Sequence, residues 1–568
     1  MTLTLVMQAP DPDSPLAGEL VLILMAAAAL AFPVSIALLG MYRRRVVRGM
    51  RTRALPGSAE PATASGATVP QRAPPTPIQL LQLDSASVVA GGPAGLVFSR
   101  TAGAPWRAAM VYGLAGSCFA GVMASAYVEA ADAGFRLMAW LHTAWTFAWP
   151  VVLTVIFVAG PGSRLRTASA YFAGLLFLDA VALARSPNVA AGDVVAQWLA
   201  LNGPPSLLLA AVLARPIRAV GPLVLTFLAV ALTGAACAIA LTAGQSDVQR
   251  VIAEVGAALH LNAPVVFVGI IAAGFAALAP LGWLAARWLA HRYARKRVSD
   301  QSVTVDAVWL LFGLIQSIVL VAQGRPARIG WGLLAFVVYK VVVTIGFAAP
   351  SQRDAAGAPR LLLLRAFSPG PLSERLFDAV TLHWRYAGSV QLIAGPDLAT
   401  TTIEPHEFLD FLRGRLARRF IDGPETMDRR FAEVDLAPDH DGRFRVNEFF
   451  CYDDTWRAVL RRLATTSDVA VMDLRGFSRQ HAGLAFEIQA LIHTVELARI
   501  LILVDASTDQ AHLAEIAEDA WRTLPADSPN RASASPALRL FPAAGAHRAP
   551  LPLLRALAAA ARPATAAA

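Results

Sequence analysis

Long apolar runs fill the first 350 positions of the chain, and short ones fill the rest. Nine windows, 19–41, 108–129, 137–159, 167–184, 193–214, 219–242, 263–287, 304–323 and 329–349, are each apolar over about the 20 residues that cross a bilayer as a helix. From 358 onward the texture changes. Strand-length runs at 360–367, 389–395, 468–474, 499–506 and 538–542 alternate with helical patterns at 373–388, 404–421, 454–467, 483–496 and 508–524. Such alternation predicts a parallel sheet covered on both faces. The expected fold is thus an all-α membrane bundle of about nine transmembrane helices, followed by a cytoplasmic α/β domain with a five-stranded, mostly parallel sheet.

These patterns divide the chain into an N-terminal anchor at 1–50, a Pro/Ala-rich cytoplasmic linker at 51–106 and an eight-helix membrane domain at 107–350. The α/β domain at 351–545 and an Ala-rich tail at 546–568 complete it. Residues 54–80 hold too few large apolar side chains to fold, and "LNGPPS" (201–206) is expected to break the fifth span. The segment 396–453 looks like an insertion in the α/β domain.

Composition agrees with a membrane protein carrying a soluble part. Mean hydropathy is +0.51 and only 16% of residues are charged, against roughly 25% in soluble domains. The net charge of +9 suggests nucleic acid until its distribution is read. Many basic residues cluster beside apolar windows, as in "MYRRRVVRGMRTR" (41–53). The lipid bilayer, not nucleic acid, is therefore the expected partner. The arginine bias between alternate loops places the N-terminus outside and the α/β domain inside. The alanine- and arginine-rich, lysine-poor usage fits a GC-rich bacterial genome, hence a bacterial inner membrane. Cys118, Cys237 and Cys451 lie far apart, so no disulfide framework and no metal site is expected.

Ionisable residues inside apolar windows are functional candidates by default. Asp179, Asp306 and Lys340 qualify. They keep a transport reading open, although no internal repeat or second interrupted window supports it.

The α/β domain offers a sharper candidate. In "MDLRGFSRQHAGLAFEIQAL" (472–491) an apolar run ends in Asp473, a polar loop follows, and a new apolar run carries Glu487. Ligands of open parallel sheets bind at the carboxyl ends of the strands, and this stretch belongs there. Residues 454–491, "DTWRAVLRRLATTSDVAVMDLRGFSRQHAGLAFEIQAL", resemble the helix–strand–loop–helix core of TIR (Toll/interleukin-1 receptor-like) domains. "GLAFEI" (483–488) is also similar to the Gly-x-x-x-Glu segment of nucleoside 2-deoxyribosyltransferases, which share a flavodoxin-like sheet. The likeness covers about 180 residues. Gly483 and Leu484 stand where TIR helices usually carry Trp-Cys, and Gln489 stands where the transferases usually carry Gly.

The resemblance implies that Glu487 is the reacting carboxylate of an N-glycosidase acting on NAD or a nucleoside. It further implies that Asp473 orients the sugar, that "RLLLLRAFSPGPLSERLF" (360–377) brings Arg365, Phe367 and Ser368 to the pocket, and that copies associate through this domain. Arg475 and Arg479 are candidates for holding phosphates, and His481 for acid–base work. The competing expectation is structural: Glu487 as a first-turn acid favouring the helix dipole, and the arginines as solvated loop charges. A non-catalytic scaffold and a transporter with a regulatory domain remain the alternatives.

Overall fold

The computed structural model describes residues 15–51, 76–83, 103–130, 136–185, 190–212, 220–243, 246–322, 328, 330–348, 357–365, 371–394, 405–543, 546 and 550–561. They fall into two compact units. One comprises residues up to Met41, Trp106–Pro350 and Ile403–Leu409; the other comprises Tyr42–Pro105, Ser351–Thr402 and Asp410–Ala568.

The first unit is helical. Its helices are α1 (Pro15–Arg51, whose last residues belong to the other unit), α2 (Ala104–Ala130), α3 (Leu137–Phe147), α4 (Trp149–Ala159), α5 (Arg164–Arg185) and α6 (Ala191–Val212). They continue with α7 (Gly221–Ala243), α8 (Ser246–Ala258), α9 (Ala263–Ala294), α10 (Asp300–Ala322) and α11 (Trp331–Ala348). Every apolar window coincides with helix, but nine spans are not supported. Among the described residues four helices, α2, α5, α9 and α11, are long and apolar enough to cross a membrane, and α3 with α4, bent by 41°, makes a fifth. Others carry polar interruptions, such as Asp193 and Asn202 in α6 and Asp306 and Gln316 in α10.

Nor does "LNGPPS" break its helix, because α6 runs through it. Asn202 donates from Nδ2 to the Thr146 carbonyl at 3.1 Å, and Ser206 Oγ donates to the Asn202 carbonyl. Small residues bring helices together elsewhere: a side chain at Gly332 would meet the Gly313 carbonyl oxygen at 2.1 Å.

The second unit is a parallel sheet of eight strands, not five: β1 (Gln79–Gln82), β2 (Arg360–Arg365), β3 (Ser389–Ile393), β4 (Phe420–Ile421), β5 (Val446–Cys451), β6 (Val469–Asp473), β7 (Ile500–Val504) and β8 (Ala537–Pro542). Their spatial order is β1-β8-β7-β6-β2-β3-β5-β4. All five strands expected from the sequence are present. The three additions come from segments read as linker or insertion. In the linker, Ile78 and Leu80 pack on the core while Leu81 is exposed, so a short alternating stretch suffices for an edge strand. The side chain of Trp521 fixes it by donating to the Thr76 carbonyl at 2.8 Å.

Helices α15 (Trp456–Thr466), α16 (Ala482–Thr494) and α17 (Gln510–Arg522) share one apolar cluster with Leu362, Leu364 and Met472. Helices α12 (Pro371–Trp384) and α18 (Leu551–Ala560) share another with Leu361 and Val471. Residues 551–560 of the Ala-rich tail are therefore a core helix of this unit. Two short helices precede β5: α13 (Pro405–Leu412), whose residues up to Leu409 belong to the first unit, and α14 (Pro424–Ala432). Strands β6 and β7 are buried at every position, as a sheet covered on both faces requires.

Close backbone approach governs the start of the β2–β3 pair. A methyl group at Gly388 would lie 1.9 Å from the Pro359 carbonyl oxygen. Gly388→Ala should therefore push β3 from β2 and cost about 1–3 kcal/mol. Hydrogen exchange on the full chain in detergent checks this: protection in β2 and β3 should fall, with the α9 amides unchanged.

Candidate functional site

Strand β2 is the hinge of the topology. Strands β3, β5 and β4 lie on one side of it, and β6, β7, β8 and β1 on the other. The connections from the ends of β2 and β6 consequently diverge, which makes the β2/β6 boundary the switch point where such sheets open a crevice. Arg365 and Asp473 are register partners at this boundary. Only the backbone of Arg365 is described, and Phe367 and Ser368 lie outside the described residues.

The loop after β6 is held in place from within its own edge of the sheet. Asp473 is 8% exposed and binds Arg475 twice, at 2.8 Å through Nε and 2.6 Å through Nη2. Those hydrogen bonds raise the Arg475 pKa, and Asp505 at the end of β7 adds to the effect. Gly476, with φ of 74°, takes the left-handed conformation glycine tolerates and donates to Ser507 Oγ at 2.9 Å. Thr508 Oγ1 donates to the Leu474 carbonyl at 3.0 Å, and the Phe477 ring stacks on His512 at 5.5 Å. The loops after β6 and β7 thus form one bonded layer.

This layer changes the expected roles. Arg475 is committed to Asp473. Arg479 is exposed and held by both oxygens of Glu515, at 2.7 and 2.8 Å. A hydrogen bond from His512, then Arg479, keeps the Glu515 carboxyl below its usual range. His481 Nδ1 lies 3.2 Å from Ser478 Oγ within the turn that starts α16. Among the described residues, no group of three His, Cys, Asp or Glu could hold a metal ion.

Glu487 differs from all of these. It is not a first-turn acid, because α16 begins at Ala482 and its first turn holds no acidic residue. It sits in the second turn, 5% exposed, beside Leu484, Ile488 and Leu491, which face the apolar core. One carboxyl oxygen, Oε2, has no hydrogen-bond partner. Burial pushes its pKa up to about 8. Its neighbour Phe486 turns to α15, where it meets the Trp456 ring edge-on at 5.3 Å and Arg457 and Arg461 at 5.1 and 5.2 Å. A buried carboxyl left half unbonded is costly, and such groups concentrate at functional sites.

In the helical unit the three ionisable candidates each have a side-chain partner. Asp179 meets His142 at 2.8 Å. Asp306 binds Lys340 at 2.7 Å and accepts from Tyr339 Oη at 3.2 Å. His142 and Tyr339 were not evident as partners, because pairing between distant windows leaves no spacing signal. Asp505 was legible in principle, as an acid directly after an apolar strand run.

No family model, curated protein or solved structure matches this chain.

The burial of Glu487 has a consequence for stability. Its carboxyl ionises near 4.5 when unfolded and near 8 when folded. Between those values the native state holds a proton that the unfolded state has released, so stability falls as pH rises through this window. Denaturant titration of the sheet unit should show that decline in the wild type. Glu487→Gln should flatten the same window.

Proposed function

We propose that this is a membrane-anchored protein whose parallel α/β unit binds a nucleotide-type ligand at the β2/β6 switch point and cleaves its N-glycosidic bond through Glu487. The observation that carries this reading is a buried carboxyl, with Oε2 lacking a hydrogen-bond partner, on the helix that follows β6. Cleavage of an N-glycosidic bond builds positive charge on the sugar carbon, and a carboxylate beside that carbon stabilises it or attacks it. The likeness of "GLAFEI" to glycosidic-bond-cleaving enzymes supports the same residue. The helices anchor the site in the bilayer, facing the cytoplasm, and Asp179, Asp306 and Lys340 within them serve packing, each against a side-chain partner.

The raised pKa divides two substrate classes. The nicotinamide nitrogen of NAD carries positive charge, and a cation beside Glu487 drives off its proton. The carboxylate is then ready to stabilise the sugar cation. A neutral nucleoside leaves the proton in place, and Glu487 can give it to the departing base.

The test uses the full chain in detergent at high density, because the sheet unit includes Tyr42–Pro105 as well as the C-terminal residues. NAD and a panel of nucleosides are offered, and released nicotinamide or base is quantified. Wild type should release product, and Glu487→Gln should lose it by about a hundredfold or more. Release from a nucleoside should fall as pH rises through about 8, whereas release from NAD should not. A folded wild type that turns over nothing, or a variant as active as wild type, makes Glu487 structural.

A further inference from the structure

The basic run after the first apolar window is more than a flank. The end of α1 packs within the sheet unit, with Tyr42, Val46 and Met50 buried. Their spacing of four residues puts them on one face of the helix. The arginines between them, Arg43, Arg44, Arg45 and Arg48, are exposed.

A second run is fixed beside this one at both of its ends. The Tyr42 ring meets Phe411 edge-on at 5.3 Å. Seven residues after Tyr42 and nine after Phe411, a side chain at Gly49 would meet the Phe420 ring at 2.9 Å. The segments 42–49 and 411–420 therefore lie alongside each other, and the second contributes exposed Arg413, Arg415 and Arg418. Arg419 does not join them, since Asp410 holds it at 2.7 Å, which braces the turn that presents its neighbours. Arg44, Arg45, Arg48, Arg415 and Arg418 enter no ion pair among the described residues.

We propose that these two arginine runs, set side by side by the Tyr42–Phe411 and Gly49–Phe420 contacts, form a docking surface for the headgroups of anionic phospholipids. Like charges gathered at one place repel one another, so an arrangement that gathers them calls for an anion. Arginine suits the phosphodiester, since its planar fork binds two oxygens at once. Position selects lipid over other anions. Met41 closes the apolar window of α1, and Arg43 follows two residues later, about 3 Å along the helix. Basic residues so close to an apolar helix lie within reach of the charged leaflet.

The test purifies the full chain in a zwitterionic detergent with equimolar phosphatidylglycerol and phosphatidylcholine, and native mass spectrometry counts the lipids retained. Wild type should keep phosphatidylglycerol preferentially, and added salt should weaken that preference. R44Q/R45Q/R48Q and R415Q/R418Q should each reduce it, and the two sets together should lower it about tenfold or more. All five positions are exposed, so the variants should fold; thermal melting confirms it. Gly49→Leu keeps every charge but parts the two runs, and should also lose the preference. Equal retention of both lipids by wild type would overturn the proposal, as would unchanged preference in the combined variant. So would tight binding of a labelled single-stranded oligonucleotide that phosphatidylglycerol cannot displace, since that assigns the surface to nucleic acid.

Discussion

Parallel pairing of β2 with β6 is the constraint on which the sheet unit depends. Five register pairs join them, from Leu361–Val469 to Arg365–Asp473. Because β2 precedes β3 in sequence but has β6 on its other flank, the chain must return across the sheet between β5 and β6. That return sends the connections after β2 and β6 apart. It also leaves the strand pair too apolar to face water on either side, so helices must cover both faces. The covering helices descend from the strand ends, and α16 thereby carries Glu487 into the edge of the core.

The chemistry proposed for Glu487 follows from that placement. Helix α16 turns Leu484, Ile488 and Leu491 to the sheet, and Glu487 lies among them in the turn sequence. Water is largely excluded, so the carboxyl holds its proton well above its ordinary range. The loop beneath it is tied down by Asp473–Arg475 and by the bonds to Ser507 and Thr508. A fixed loop and a buried acid are what the proposed reaction requires to be in place before its ligand arrives.

The sequence made much of this visible, and its omissions have physical causes. Strands β2, β6 and β7 carry uninterrupted runs of four or five apolar residues, and β3 and β8 are broken within by Gln391 and Arg539 alone. Strand β5, "VNEFFC", mixes polar and apolar positions because it lies toward the edge of the sheet, and β4 is only two residues long. Strand β1 hides in a Pro/Ala-rich stretch because an edge strand needs only one buried face. At the site, residue types pointed to Glu487 and Asp473, but not to partners. Arg475 and Arg479 read as anion ligands until Asp473 and Glu515 were seen to occupy them. Polar positions inside the helices find partners on other helices, Asn202 at the Thr146 carbonyl and Asp306 at Lys340, which a window average cannot register.

The state of one carboxyl group tests the account most directly. Infrared difference spectroscopy of the full chain in detergent, wild type against Glu487→Gln, isolates the C=O stretch of a protonated Glu487. The account predicts a band at neutral pH that titrates near 8 and is absent from the variant. Saturating NAD should abolish it, whereas a neutral nucleoside should shift it without loss. A carboxyl that titrates near 4.5 and responds to neither ligand would contradict the account. Glu487 would then be a structural carboxylate, and α16 a structural helix.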